Sequence, residues 1–260
     1  MQDPEPPTAK RVALFPVLSC ATCVVRDRCF IRDLDPEQAA GFERLIGRRR
    51  RILRGEYAYR EDDAFTNLVV VRTGSFKTEL GCAEGNVEVA GFHQAGDILA
   101  LESVISPVYK SEAIALEDSV VCEVPFSELE ALAMETPLLN RELIRRLRDA
   151  ALRNQRQMLL LKKRSEQRFA AFLCDLSAGA TRRGGLANKF RLQMSRADIS
   201  HYLGLSNAST SRLIARFTQA GLITIRIRQV QILDPRTLEQ LACNMLSWEQ
   251  CQGRAAGQGA

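Results

Sequence analysis

The sequence predicts an α+β protein in three parts: a strand-rich first half, a long helix, and a compact helical unit closed by a hairpin. Three observations carry this. Short β-rich runs broken by glycines fill the stretch from Ile52 to Pro125. Pro137–Arg164 holds good helix formers with no interior Gly or Pro. The second half changes sign of charge: residues 1–137 carry 15 basic and 23 acidic side chains, residues 138–260 carry 21 and 8. An acidic half joined to a basic half predicts that the second half alone meets a polyanion.

In chain order, residues 1–19 are Pro-rich and polar at their start and read as a disordered tail. Cys20, Cys23 and Cys29 follow at C-x2-C-x5-C spacing. Three soft thiols within ten residues can converge on an iron–sulfur cluster or on zinc, with a fourth ligand from elsewhere. Redox thiols, or core cysteines without metal, are the alternative. Asp35-Pro36-Glu37-Gln38 starts a helix expected to reach about Arg48. Expected strands are Asn67–Arg72, Val87–Phe92, Ser111–Ala115 and Ser119–Val124, spaced as in an antiparallel sandwich or barrel. Cys122 lies in the last of these and Cys82 in a turn.

A short helix, Phe126–Met134, precedes the long one. Thr136 is its expected N-cap and Pro137 its first residue. Ile144, Leu147, Ala151, Asn154, Met158 and Leu161 repeat at steps of three and four, a heptad seam with one polar residue. Residues 138–164 carry nine Lys or Arg against Glu142 and Asp149. Two such helices repel, so a dimer here should be marginal. Ser165 is expected to cap a helix over Glu166–Leu176, with Cys174 as a small buried hydrophobe, and Ser177–Leu186 to be a loop.

Ser195 should cap Arg196–Leu203. Gly204-Leu205-Ser206 is a tight turn, and Asn207 opens a helix reaching about Ala220, before Gly221. Ile199, Leu203, Leu205 and Leu213 face inward, and Ser200 is small enough for a close crossing. This is a helix-turn-helix with the second helix as reader, followed by a wing over Leu222–Leu233. Arg212 can present a fork to guanine, Ser209 and Ser211 can share base or phosphate contacts, and Arg216, Arg226 and Arg228 suit phosphates. His201 is expected to pack or to face backbone. Residues 250–260 read as a second tail, and nothing assigns a role to Cys243 or Cys251.

The apolar runs are too short to span a bilayer, and the start lacks a secretory signal, so a cytoplasmic chain with reduced cysteines is expected. Two histidines leave little for acid–base or His-based metal chemistry. No Gly-x-Ser-x-Gly, phosphate loop or paired carboxylates point to an enzyme.

GSFK (Gly74–Lys77), GFHQAGD (Gly91–Asp97), VCEVPF (Val121–Phe126), RFAAFL (Arg168–Leu173), YLGLSNASTSRLIARF (Tyr202–Phe217) and the three spaced cysteines together resemble the catabolite activator/FNR superfamily of bacterial transcription regulators. The closer resemblance is to FNR, its oxygen-responsive branch. It implies a β-roll sensor domain over 20–136, a dimerisation helix over 137–164 and a winged helix-turn-helix domain over 165–249. It also implies that Cys122, in VCEVPF, completes a four-cysteine set holding a [4Fe–4S] cluster that favours the DNA-binding dimer. Double-stranded DNA, RNA polymerase and a second copy of the chain are the implied partners. A zinc-bound or thiol-redox regulator of the same fold is the alternative. A cyclic-nucleotide receptor is disfavoured. The motif needs Gly-Glu soon after Gly-Asp and an Arg-Ser/Thr pair later, whereas Ile98-Leu99-Ala100-Leu101 and Lys110-Ser111 stand here. Relatives also carry a glutamate where the reader helix has Ala208, so looser discrimination at one base pair is expected.

Overall fold

The computed structural model describes residues 19–81 and 87–243; the tails expected over 1–19 and 250–260 fall outside it except for Ser19, as do Cys82 and Cys251. Among the described residues, no helix is long and apolar enough to cross a membrane.

Helix α1 (Pro36–Leu45) opens with the expected cap: the Asp35 carboxylate accepts from Gln38 N–H and Gln38 answers with its own side chain. It stops three residues short of the expected end, because β1 (Arg48–Ile52) begins there. The strand was hidden in a run of four arginines with no hydrophobic alternation. Each of three arginines finds a carboxylate: Arg49 with Glu43, Arg50 with Glu123 and Arg51 with Asp118. As an edge strand, β1 tolerates this charge well.

Then follow β2 (Tyr57–Tyr59), β3 (Asn67–Thr73), β4 (Ser75–Gly81), β5 (Val87–Gln94), β6 (Ile98–Leu99), β7 (Glu112–Ala115) and β8 (Ser119–Pro125). They form two antiparallel four-stranded sheets, ordered β1-β8-β3-β6 and β2-β7-β4-β5. Leu68, Val71, Phe76, Ala113, Val121 and Val124 are fully buried and belong to one hydrophobic core. Gly74 joins β3 to β4 at φ +87°, where any Cβ would collide with the Ser119 hydroxyl.

Helix α2 (Phe126–Glu135) leads into α3 (Pro137–Leu161), whose Leu139 and Leu143 pack on the sheet core. Thr136 holds the cap position of α3 without a side-chain capping bond. Helix α4 (Ser165–Arg182) is a turn and a half longer than expected. Arg164 sits at its cap instead of Ser165, and the segment read as loop from Ser177 continues the helix through Gly179 and Ala180, both buried. Strand β9 (Lys189–Arg191), α5 (Arg196–Tyr202), α6 (Asn207–Gln219), β10 (Ile223–Arg226), β11 (Gln229–Ile232) and α7 (Pro235–Ala242) complete the second unit. Its sheet, β10-β11-β9, is the wing plus one strand.

The two units touch. Phe92 of β5 packs on Phe172 and Tyr202 at centroid distances of 6.2 and 5.1 Å. Lys77 Nζ reaches Glu79 in its own strand at 2.6 Å and Asp198 of α5 at 2.8 Å. Gln157 of α3 donates to the Tyr202 carbonyl at 2.7 Å.

Candidate cysteine centre and nucleic-acid interface

The cysteine loop is two short 3-10 turns, Cys20–Thr22 and Arg26–Arg28, each closed by backbone bonds. The Ser19 hydroxyl accepts from Ala21 N–H and donates to Glu43. Val25, Phe30, Ile31 and Leu34 are buried, so the loop is held down by its apolar residues on both sides of Cys29. Cys122 lies in β8, with Arg49 and Val70 as its ladder neighbours.

Cys20, Cys29 and Cys122 are buried and Cys23 is half-buried. Burial, reinforced by Glu43, pushes the Cys20 thiol up to about 11, with Arg49 opposing. Burial pushes Cys29 up to about 12 against the pull of the Ile31 and Phe30 amides, and raises Cys122 against Arg49 and Arg72. Cys20 and Cys29 each feel Cys122, and Cys122 feels Cys23. The four thiols are therefore electrostatic neighbours. Four cysteine thiols suit either a zinc ion or an iron–sulfur cluster.

The surroundings fit an anionic thiolate group. Arg49 Nε is a buried donor with no hydrogen-bond partner among the described residues. Arg49 Nη2 donates to Cys20 Sγ at 3.9 Å. Behind the loop, Arg146 of α3 donates to the carbonyls of Arg28 and Cys29 at 2.5 and 3.3 Å. Buried Glu142 holds both Arg145 and Arg146 at 2.5 Å. No sequence pattern marked this link between loop and helix.

Along α3, Ile144, Met158 and Leu161 are 60%, 67% and 46% exposed, and Ala151 and Asn154 are exposed too. Leu147 differs: it is half-buried against the sheet core. Leu152 and Leu159 are also exposed, so the apolar stripe is broader than the heptad.

In the second unit Ser195 caps α5 reciprocally with Asp198. Gly204 turns the chain at φ +59°. Ser206 caps α6 by accepting from Ser209 N–H at 3.1 Å. Ile199, Leu203 and Leu213 are buried, and Leu205 is half-buried. Ser200 crosses Thr210 with their hydroxyls 2.8 Å apart, both buried. Thr210 was missed because a threonine in a polar reader helix gives no sign of facing inward.

Asn207, Ala208, Ser211 and Arg212 form the open face of α6. Arg212 Nη2 donates to the Ser209 hydroxyl at 3.2 Å, which presents the guanidinium beside Ser209. Arg216 is turned back to Glu166 of α4 at 2.8 Å. Arg226 is exposed, while Arg228 donates to the Gln193 carbonyl at 3.0 Å. His201, expected to pack or to face backbone, is exposed and does not pack; its carbonyl accepts from Gly204 N–H. Cys174 is half-buried near exposed Cys243, with burial pushing its thiol up to about 12.

Two family models match: a Crp-like helix-turn-helix domain over residues 167–241 and a cyclic nucleotide-binding domain over 49–136. The transcriptional activator protein anr of Pseudomonas aeruginosa is 36% identical over 238 residues, covering 91% of this chain and 97% of that protein. The fumarate and nitrate reduction regulatory protein of Vibrio cholerae is 32% identical, covering 92% of this chain and 96% of its own length. Among solved structures, FixK2 from Bradyrhizobium japonicum aligns with a TM-score of 0.68 at 28% identity, over 75% of this chain and 96% of that one. The strand-rich unit, the long helix and the winged reader thus match these regulators over nearly their whole length, and the chain belongs to the FNR-type branch of the catabolite activator/FNR superfamily of DNA-binding transcription regulators.

Proposed function

We propose that this regulator senses oxygen or redox state through a [4Fe–4S] cluster held by Cys20, Cys23, Cys29 and Cys122, and binds a palindromic DNA site as a homodimer. The observation that carries the reading is the cysteine loop seated beside Cys122 with Arg49 between them, its buried Nε without a hydrogen-bond partner among the described residues. When bound, the cluster would supply redox chemistry and tie Cys20, Cys23 and Cys29 of the loop to Cys122 of β8. The chain's own residues do the rest. The carbonyls of Arg28 and Cys29 anchor Arg146, Glu142 braces Arg146, and both side chains belong to α3. A loop held in place therefore holds the N-terminal part of α3, next to Ile144. A released loop gives up this brace, and a helix pair already strained by like charge then separates.

In the dimer, the seam residues Ile144, Ala151, Asn154, Met158 and Leu161 face their copies, while Leu147 at the same seam also packs on its own sheet core. Two reader helices then meet half-sites about one helical turn apart. Arg212 reads a guanine, with Ser211 on the neighbouring base and Ser209 fixing register. Arg216 braces α6 through Glu166 and serves a phosphate only at the cost of that pair. Activation of transcription implies RNA polymerase as a partner. No cyclic nucleotide is needed: Ile98, Leu99, Ala100 and Leu101 are buried where a ribose would need a carboxylate.

Anaerobic reconstitution of single Cys→Ser variants tests the ligand set. Cys20, Cys23, Cys29 and Cys122 variants should each lose the chromophore, and Cys174→Ser should keep it. Normal iron and sulfide in Cys122→Ser would remove Cys122 from the set, and stoichiometric zinc without sulfide would favour a zinc site.

A further inference from the structure

Arg49 stands where the cysteine loop meets the sheet. It lies directly across the ladder from Cys122, which puts the two side chains on the same face as neighbours. Its Nη2 lies 3.9 Å from Cys20 Sγ and 3.5 Å from Glu43 Oε1. The other oxygen of Glu43 accepts from the Cys20 N–H at 3.1 Å and from the Ser19 hydroxyl at 3.0 Å. One carboxylate thus holds both the start of the loop and the guanidinium. Arg49 Nε is buried with no partner among the described residues. A buried guanidinium N–H left unpaired is unfavourable unless an acceptor arrives, and a thiolate or cluster sulfur is such an acceptor.

Resting on the cluster reading above, we propose that Arg49 is a positioning residue for the cluster, aimed by Glu43, that offsets the negative charge of the Cys20 and Cys122 thiolates. Donors to cluster sulfurs and nearby charge set cluster potentials, and partners one layer behind a metal ligand govern how firmly the metal is held. A cation here favours the more negative, reduced state. Its loss should lower the reduction potential and speed the release of iron.

The test compares wild type, Arg49→Gln, Arg49→Lys and Glu43→Gln, all full-length and reconstituted without oxygen. Two quantities are read: the rate of iron transfer to a ferrous chelator, and the reduction potential. Arg49→Gln should release iron about 10–100-fold faster and have a more negative potential. Arg49→Lys keeps the charge but not the fork, so its potential should stay near wild type while its release rate falls in between. Glu43→Gln frees the guanidinium and should also speed release. If circular dichroism shows that Arg49→Gln does not fold, Arg49→Lys and Glu43→Gln decide. A loaded wild type with variants within twofold of it in rate, and with unchanged potential, overturns the role of Arg49 alone. A wild type that takes up no iron and sulfide overturns the cluster reading and this role with it.

Discussion

Replacing Glu142 with glutamine should weaken the protein where loop and helix join. Glu142 is 4% exposed and accepts three charge-assisted bonds: Arg145 Nε at 2.6 Å, Arg145 Nη2 at 2.5 Å and Arg146 Nε at 2.5 Å. Glutamine keeps one acceptor oxygen but turns the other into an NH2 group facing the Arg145 donor. One bond becomes a donor–donor clash and the others lose their ionic part. Breaking a buried ion pair from one side costs about 3–5 kcal/mol. Here Arg145 and Arg146 are 32% and 16% exposed, so water takes back part of that, and a loss of about 2–3 kcal/mol is expected. Urea unfolding of metal-free wild type and Glu142→Gln at one fixed protein concentration, followed by far-ultraviolet circular dichroism, reads the difference. Arg146 also loses its brace against the Arg28 and Cys29 carbonyls, so the anaerobic dimer should dissociate at higher concentration than wild type. A change below about 0.5 kcal/mol, with dimerisation unaltered, would refute the coupling of loop to helix through this carboxylate.

Two further predictions concern the second unit. Burial works to raise the Asp198 carboxyl, but the bonds from Lys77 and Ser195 outweigh it and hold the carboxyl below its usual value. A folded pKa below the unfolded one gives stability that is present above about pH 4 and is lost as pH falls through the lowered folded value. Asp198→Asn should therefore flatten the acid limb of a stability–pH profile, and an unchanged limb would show that the Lys77 contact does not hold the units together in solution. For sequence reading, Arg212→Ala should flatten the preference for guanine, at about 1–3 kcal/mol per half-site, in binding to a half-site library. Ala208→Glu should sharpen the preference for a G·C pair; uniform weakening by Arg212→Ala would make Arg212 a phosphate anchor.

What the sequence revealed follows from how each feature is encoded. The helix-turn-helix was legible because Ser195, Gly204, Ile199, Leu203 and Leu213 each have one local job, and the structure has them doing it. Strand β1 was not, since its hydrophobic signal is replaced by arginines whose partners, Glu43, Glu123 and Asp118, are distant in the chain. Helix α4 was cut short because Gly179 and the neighbouring arginines read as loop, whereas burial of Gly179 and Ala180 carries the helix onward. At the cysteine centre the spacing revealed three thiols but not the Arg49–Glu43 pair or the grip of Arg146. Those depend on side chains brought together by the β1–β8 ladder and by α3, and no local pattern encodes such a meeting.

The measurement that bears most directly on the central claim is DNA binding and sedimentation of one anaerobic, cluster-loaded sample before and after exposure to air. The account predicts a dimer that binds a palindromic site before exposure. Afterwards the chromophore should be gone, the protein should sediment as a monomer at micromolar concentration, and site-specific affinity should fall at least tenfold, about 1.4 kcal/mol. A dimer with undiminished affinity for the palindrome after its iron has been lost would contradict it.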